Sequence, residues 1–408
     1  MKTRKSCGTI MAANFTHGDR MKFSVLWVHP IGVYPLPHRK DGTMERIRGL
    51  DLLRAIAILW VMLFHAFVAE LHLPFEAVFK FGWMGVDLFF ALSGYLIGSQ
   101  LFKSYCQQNP LSWKQFYLRR AFRILPAYWV IVVLYFTIPV FREDPGIQPL
   151  WQFLTFTVNL LIDYKHNRAF SQAWSLCIEE HFYLCFPWIV MVLMKKPSIK
   201  KAASVCIGLF VFGLFIRGYL WIVELYPHRI ERDGMIRLGR PYFELIYFPT
   251  YSRIDGLLAG VMVAGVKYFR PTWWKQWMEK KNVLLILSSL GLLACILMFR
   301  DRQSFIASVI GYPLLAASFA LLVAAAASPH SRIGSLRIPF VSNISTLAYS
   351  LYLTHKQIFH LTSLYLPDWV AAGGYQALLV HSLFVFLGAA GLYWIVERPF
   401  LLLRNKFA

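Results

Sequence analysis

The feature that most constrains this chain is a series of uninterrupted apolar blocks. Each is about 20 residues long, the length a helix needs to cross about 30 Å of hydrocarbon. In lipid every backbone polar group has to be satisfied within the protein, so blocks of this length read as helices. Composition agrees: 57% of the 408 residues are hydrophobic and only 15% are charged, whereas about a quarter of a soluble domain is charged. The fold class is therefore all-α, a polytopic membrane helix bundle. Spans are expected at 50–70, 81–102, 119–141, 173–194, 202–223, 247–266, 282–299, 304–327, 341–365 and 373–397, ten in all. The stretch LWQFLTFTVNLLI, 150–162, rises only about 20 Å as a helix. It is read as re-entrant or interfacial; were it to cross, the count would be eleven.

Charge sets the orientation. Of the 42 Lys and Arg residues, 28 fall in segments sharing a side with the N-terminus and ten on the opposite side. Arg54, Arg217, Arg253 and Lys356 lie within spans. Basic loops favour the cytoplasm, so both termini are expected there. The net charge of +21 then needs no nucleic-acid partner. The six cysteines are scattered, without the spacing of a zinc site or a disulfide framework. Residues 1–43 form an N-terminal extension whose one apolar stretch, FSVLWVHPIGVYPLP, is short and broken by prolines, which makes a poor signal peptide. Met44 opens MERIRGLDLLRAIAIL, a basic lead that enters the first span directly. Met44 is read as the natural start, with 1–43 not translated in the natural protein and 44–408 forming the membrane domain.

An ionised side chain inside the bilayer costs roughly 2.5–3.5 kcal/mol to insert, so ionisable residues within spans are functional candidates. The first span, GLDLLRAIAILWVMLFHAF, carries three. Arg54 and His65 are eleven residues apart, which is about 20° from a whole number of turns and about 16 Å along the axis. They share a face. Asp51 precedes Arg54 by one turn and can pair with it. The bland alternative has Asp51 and Arg54 snorkelling at the interface and His65 satisfied by a neighbouring helix. Against it, an imidazole near its ordinary pKa of about 6.5 takes and returns a proton, as an acyl or proton transfer requires.

In FYLRRAFRILPAYW, Arg120 and Arg123 stand one turn apart, able to grip a phosphate together, although positive-inside anchoring also favours arginines here. GWMGVDLFFALSGYLIGSQL sets Asp87 and Ser93 in an apolar span beside glycines that read as packing contacts. In WSLCIEEHFYL, Glu180 and Tyr183 are three apart and share a face. Arg253 with Asp255, His355 with Lys356, and Glu397 with Arg398 are read as internal pairs that hold the bundle.

Seven segments in order carry a resemblance: RIRGLDLLRAIAILWVMLFHA, GVDLFFALSGYLI, FYLRRAFRILPAYW, WSLCIEEHFYL, RIDGLLAG, YSLYLTHKQIF and ERPF. Together they resemble the acyltransferase 3 family of integral membrane acyltransferases, which modify sugars on polysaccharides, lipopolysaccharide, peptidoglycan, root-nodulation signals and some antibiotics. The resemblance covers residues 46 to about 400. It implies that His65 is catalytic and forms the first-span signature with Arg54. It further implies that Arg120 and Arg123 serve the donor, acetyl-CoA from the cytoplasm, with no metal. Asp87, Ser93 with Gly94, and Glu180 match the family's remaining polar positions.

The expectation is a multi-pass O-acetyltransferase of the bacterial inner membrane, surrounded by membrane lipids. It would act on a hydroxyl of a sugar, glycolipid or polysaccharide acceptor. The extracytoplasmic hydrolase-like domain of some relatives is not expected here. A transporter or flippase would show paired broken helices in two related halves, and no such repeat is visible. A non-catalytic assembly subunit would tolerate change at His65.

Overall fold

The computed structural model describes residues 47–69, 76–107, 112–195, 198–232, 235–328, 331–371 and 373–407. The extension 1–43 and its boundary at Met44 lie outside the described residues. Ten helices form the body of the chain: α1 Arg48–Val68, α2 Met84–Cys106, α3 Trp113–Thr137, α4 Ala173–Lys195 and α5 Ile199–Tyr219. They continue as α6 Asp255–Phe269, α7 Lys281–Met298, α8 Tyr312–Ala326, α9 Val341–Tyr365 and α10 Gly374–Leu392.

Every expected span contains a helix, and among the described residues eight helices are long and apolar enough to cross a membrane. The two remaining spans, α6 and α9, fall short for different reasons. α6 has only 15 residues, because the chain before it is broken into a π-turn at Phe243–Tyr247 and a short helix at Thr250–Arg253. Pro249 precedes that short helix, and without an N–H it cannot extend the preceding turn. α9 is long at 25 residues but polar, with His355, Lys356 and Gln357 in a row. The segment 150–162 does not cross: it folds as a five-residue helix, Leu150–Leu154, followed by turns. Trp151, Leu154, Leu160 and Leu161 stay exposed while Phe153 and Val158 are fully buried, an interfacial arrangement.

α2 and the span containing α8 are the innermost, each 72% buried over its apolar window, against 17% for the span containing α5. The close approach of α2 to its neighbours depends on glycine. A Cβ on Gly94 would strike the carbonyl of Leu257 in α6, and one on Gly260 the carbonyl of Ala91 in α2. Gly85 meets the carbonyl of Ala57 in α1 in the same way. Without a hydrophobic drive between helices in lipid, such backbone contact supplies the attraction.

Two buried ion pairs join the helices, and neither is the neighbouring pair that the sequence suggests. Arg253 donates from Nη2 to Asp87 Oδ1 of α2 at 2.7 Å. Asp255 pairs with Arg217 of α5, at 2.7 and 3.3 Å. Side chains two apart on a helix point away from each other, which directs Arg253 and Asp255 to different partners. Glu397 likewise turns from Arg398: it accepts from Ser350 Oγ of α9 at 2.8 Å, and Arg398 lies over the Trp394 ring.

Candidate functional site

The site is built on five helices, α1, α2, α3, α4 and α9. α1 runs unbroken from residue 48 to 68, so Arg54 and His65 stand about 16 Å apart on one rigid element. At its start, Asp51 accepts from Ser345 Oγ of α9 at 2.9 Å and lies 3.8 Å from Arg54. Toward its end, His65 is half-buried, with Nδ1 3.0 Å from the carbonyl of Val61. A carbonyl only accepts, so the ring proton resides on Nδ1 and Nε2 presents a free lone pair. Facing it is His355 of α9, with ring centroids 4.7 Å apart at 70°. His355 repeats the arrangement: Nδ1 is 3.1 Å from the carbonyl of Leu351, and Nε2 is buried without a partner. Two imidazoles thus meet with both basic nitrogens uncommitted.

From this pair a line of polar side chains runs down α4. Ser175, Glu179 and Tyr183 recur every four residues, one per turn along about 12 Å. At the upper end, Ser175 Oγ and Tyr352 OH are 2.5 Å apart, and the Tyr352 ring lies 5.8 Å from that of His355. In the middle, Glu179 accepts from Ser93 Oγ of α2 at 3.1 Å and from Tyr183 OH at 2.5 Å. At the lower end, the Arg120 guanidinium of α3 lies 5.4 Å from the Tyr183 ring and donates to Gln100 of α2 at 2.8 Å. Arg123 follows one turn on and is half-buried. Buried polar groups bonded to neighbouring side chains, as Ser175 is to Tyr352 and Glu179 to Ser93 and Tyr183, stay ordered.

Most of the residues singled out from the sequence lie along this line: His65, Ser93, Tyr183 and Arg120 contact it directly, and Arg123 adjoins its lower end. Glu180 does not supply the carboxylate beside Tyr183. Glu179 does, because residues four apart on a helix overlie one another more closely than residues three apart when the long side chain leans back toward the N-terminus. Asp87 lies apart, paired with Arg253. Sequence reading missed Glu179, Gln100 and His355 as site residues. The four-residue recurrence of Ser175, Glu179 and Tyr183 was the available signal for the first.

On the loop side of the histidines, Lys356 of α9 is clamped. Its Nζ lies 2.8 Å from Glu143 Oε1 and 3.0 Å from Ser171 Oγ. Glu143 also accepts from Tyr135 OH at 2.7 Å and from the backbone N–H of Phe170 at 3.0 Å. Burial alone would push the Glu143 carboxyl up, but the Lys356 ammonium and the tyrosine hydrogen bond outweigh it and hold the group below its ordinary value. Phe170 sits at φ 56°, a left-handed conformation that a bulky residue keeps only when its surroundings fix it. Here Tyr135 stacks on its ring at 4.6 Å and Phe153 at 5.6 Å. The loop over the histidines is a packed structure.

A family model described as an acyltransferase domain matches residues 47–398. The chain is 27% identical over 335 residues to the peptidoglycan O-acetyltransferase OatA of Listeria monocytogenes, a match covering 78% of this chain and 50% of that protein. It is 28% identical over 371 residues to the O-acetyltransferase OatA of Staphylococcus aureus, covering 86% and 56% respectively. The chain therefore spans about half the length of the curated relatives it matches. No solved structure matches it.

Proposed function

Because the chain belongs to the acyltransferase 3 family and carries that family's acyltransferase domain over residues 47–398, we propose that it transfers an acetyl group from acetyl-CoA to a sugar hydroxyl. The acceptor belongs to a cell-surface or secreted glycan or glycolipid, and the protein works in the bacterial inner membrane. The observation that carries this reading is the succession of polar side chains along α4 between Arg120 and the paired histidines. It joins a cationic end suited to phosphate with a basic end suited to proton transfer.

In this reading Arg120 and Arg123 hold the phosphates of the donor at the cytoplasmic end. The pantetheine arm, a thin chain with two amides, follows the side chains of α4 toward His65. Acceptor sugar arrives from the side of the loops. His65 Nε2 takes the hydroxyl proton as the oxygen attacks the thioester carbonyl. The carbon–sulfur bond breaks, the ester forms, and the proton passes from His65 to the departing thiolate. The Nδ1–H bond to Val61 fixes the tautomer this step needs. The name of one relative, a peptidoglycan O-acetyltransferase, favours a glycan acceptor.

The test is His65→Ala, expressed at wild-type level and supplied with labelled acetyl-CoA and the glycan fraction of the producing cells. Removing a general base lowers turnover by about 10²–10⁴-fold; unchanged label transfer would refute the mechanism. The paired change Arg120→Ala with Arg123→Ala should raise KM for acetyl-CoA while the His65 chemistry persists, and an unaltered donor dependence would remove the arginines from the donor site.

A further inference from the structure

Beside the histidine site, at the end of the bundle that carries the long connections, two arginines meet around one tyrosine ring. The Arg302 guanidinium lies 4.0 Å from the Trp83 centroid and 4.0 Å from that of Tyr247. Arg253 lies 4.6 Å from the same Tyr247 ring and 4.0 Å from Tyr312. Among the described residues, the only carboxylate paired with either guanidinium is that of Asp87, on Arg253. The cluster therefore keeps one uncompensated positive charge.

It also keeps unmade hydrogen bonds. Arg302 Nε and Nη2, Arg253 Nη1 and Asp87 Oδ2 are all buried without a partner, although Arg253 is only 1% exposed and Asp87 5%. Buried charged groups are normally saturated, and four orphaned atoms in one place need an explanation. The other ion pair of this bundle gives the comparison. Arg217 fills its bonds to Asp255 and to the Ser252 carbonyl, leaving only Nε. That is how a purely structural pair looks here, and the Arg253–Arg302 cluster does not look like it.

We infer that this cluster is a binding site for an anionic sugar unit, with the pyranose ring on the faces of Trp83 and Tyr247 and its carboxylate held between Arg253 and Arg302. Aromatic faces take the apolar C–H surface of a sugar ring, and guanidinium forks match a planar carboxylate. Asp87 Oδ2 accepts from a ring hydroxyl. Arg302, half-buried on the connection after Asp301, now covers the two aromatic faces, and it turns aside when the ring replaces it there. The site adjoins the proposed transfer centre. Trp174, 5.5 Å from Arg253, directly precedes the Ser175 that bonds Tyr352 beside His355. The inference rests on the acyltransferase reading and deepens it, since an acceptor anchored here presents a neighbouring hydroxyl to the histidines.

The test is calorimetric titration of the full-length detergent-solubilised protein with a uronic-acid disaccharide and with its neutral counterpart. The wild type should bind the acidic sugar at least about tenfold more tightly, a preference set by one charge-assisted contact. Arg302→Gln should abolish that preference, and Arg302→Lys, which keeps the charge, should retain part of it. Equal affinity for the two sugars, binding of neither, or a preference that survives Arg302→Gln overturns the site. Release of CoA from acetyl-CoA by the wild type is measured alongside. Its absence counts against the acyltransferase reading, whereas CoA release without sugar discrimination counts against this site alone.

Discussion

At the scale of single residues, the proposed chemistry turns on which imidazole nitrogen is free. Both His65 and His355 give their Nδ1–H to a carbonyl one turn back on their own helix, so both present Nε2. His65 was legible in the sequence because Arg54 shares its helix and its face. His355 was not, because its meaning comes from a ring in a helix 290 positions away in the chain. Beside Lys356 it reads as one half of a local pair. If the second imidazole shares the proton work, His355→Ala should lower kcat by about tenfold or more while leaving KM for acetyl-CoA close to wild type. A raised donor KM with unchanged kcat would assign His355 to packing. Glu180 and Tyr183 illustrate a related limit: spacing named the right turn of α4, and the carboxylate that bonds Tyr183 there is Glu179.

At the scale of elements, apolar length located every span, and it could not say where a span breaks. The interruption at 243–253 comes with a π-turn, a proline and two ion pairs to other helices, and a hydropathy profile shows neither the turn nor the partners. The α2–α6 seam behaves in the same way: its glycines looked like packing contacts, but the partner was invisible. Replacing Gly260 with Leu should cost about 1–3 kcal/mol or more, since neither backbone can retreat. A fall in melting temperature, followed by size-exclusion of heated detergent extracts, measures it. An unchanged melting temperature would mean that the helices are not in contact there.

The loop clamp gives a pH signature with a definite sign. Glu143 is held below its ordinary value, so its contribution is complete above the unfolded carboxylate pKa of about 4.3 and lost as pH falls through the folded value. Melting temperature should therefore drop below about pH 5, and Glu143→Gln should flatten that drop. A parallel drop in both proteins would place the acid sensitivity elsewhere.

At the scale of the whole molecule, the expected spans leave most basic residues on one side, and the positive-inside rule then predicts both termini in the cytoplasm. A membrane-impermeant thiol reagent added to intact cells should label Arg237→Cys and spare Lys275→Cys, above the background of the native cysteines. The reverse pattern would invert the topology. The helical bundle was readable from sequence because the bilayer imposes it through apolar length. The arrangement of helices around α2 was not, because it depends on which glycine meets which carbonyl. The polarity of α9 has one more consequence, for biogenesis. This helix is too polar to rank with the eight self-sufficient spans, and, apart from the bond from Ser350 to Glu397, its polar groups reach α1, α3, α4 and the loop before α4. All of those leave the ribosome earlier. The nascent chain thus prepares a socket before the helix that needs it is made, and the facing histidines come together only when that late helix arrives.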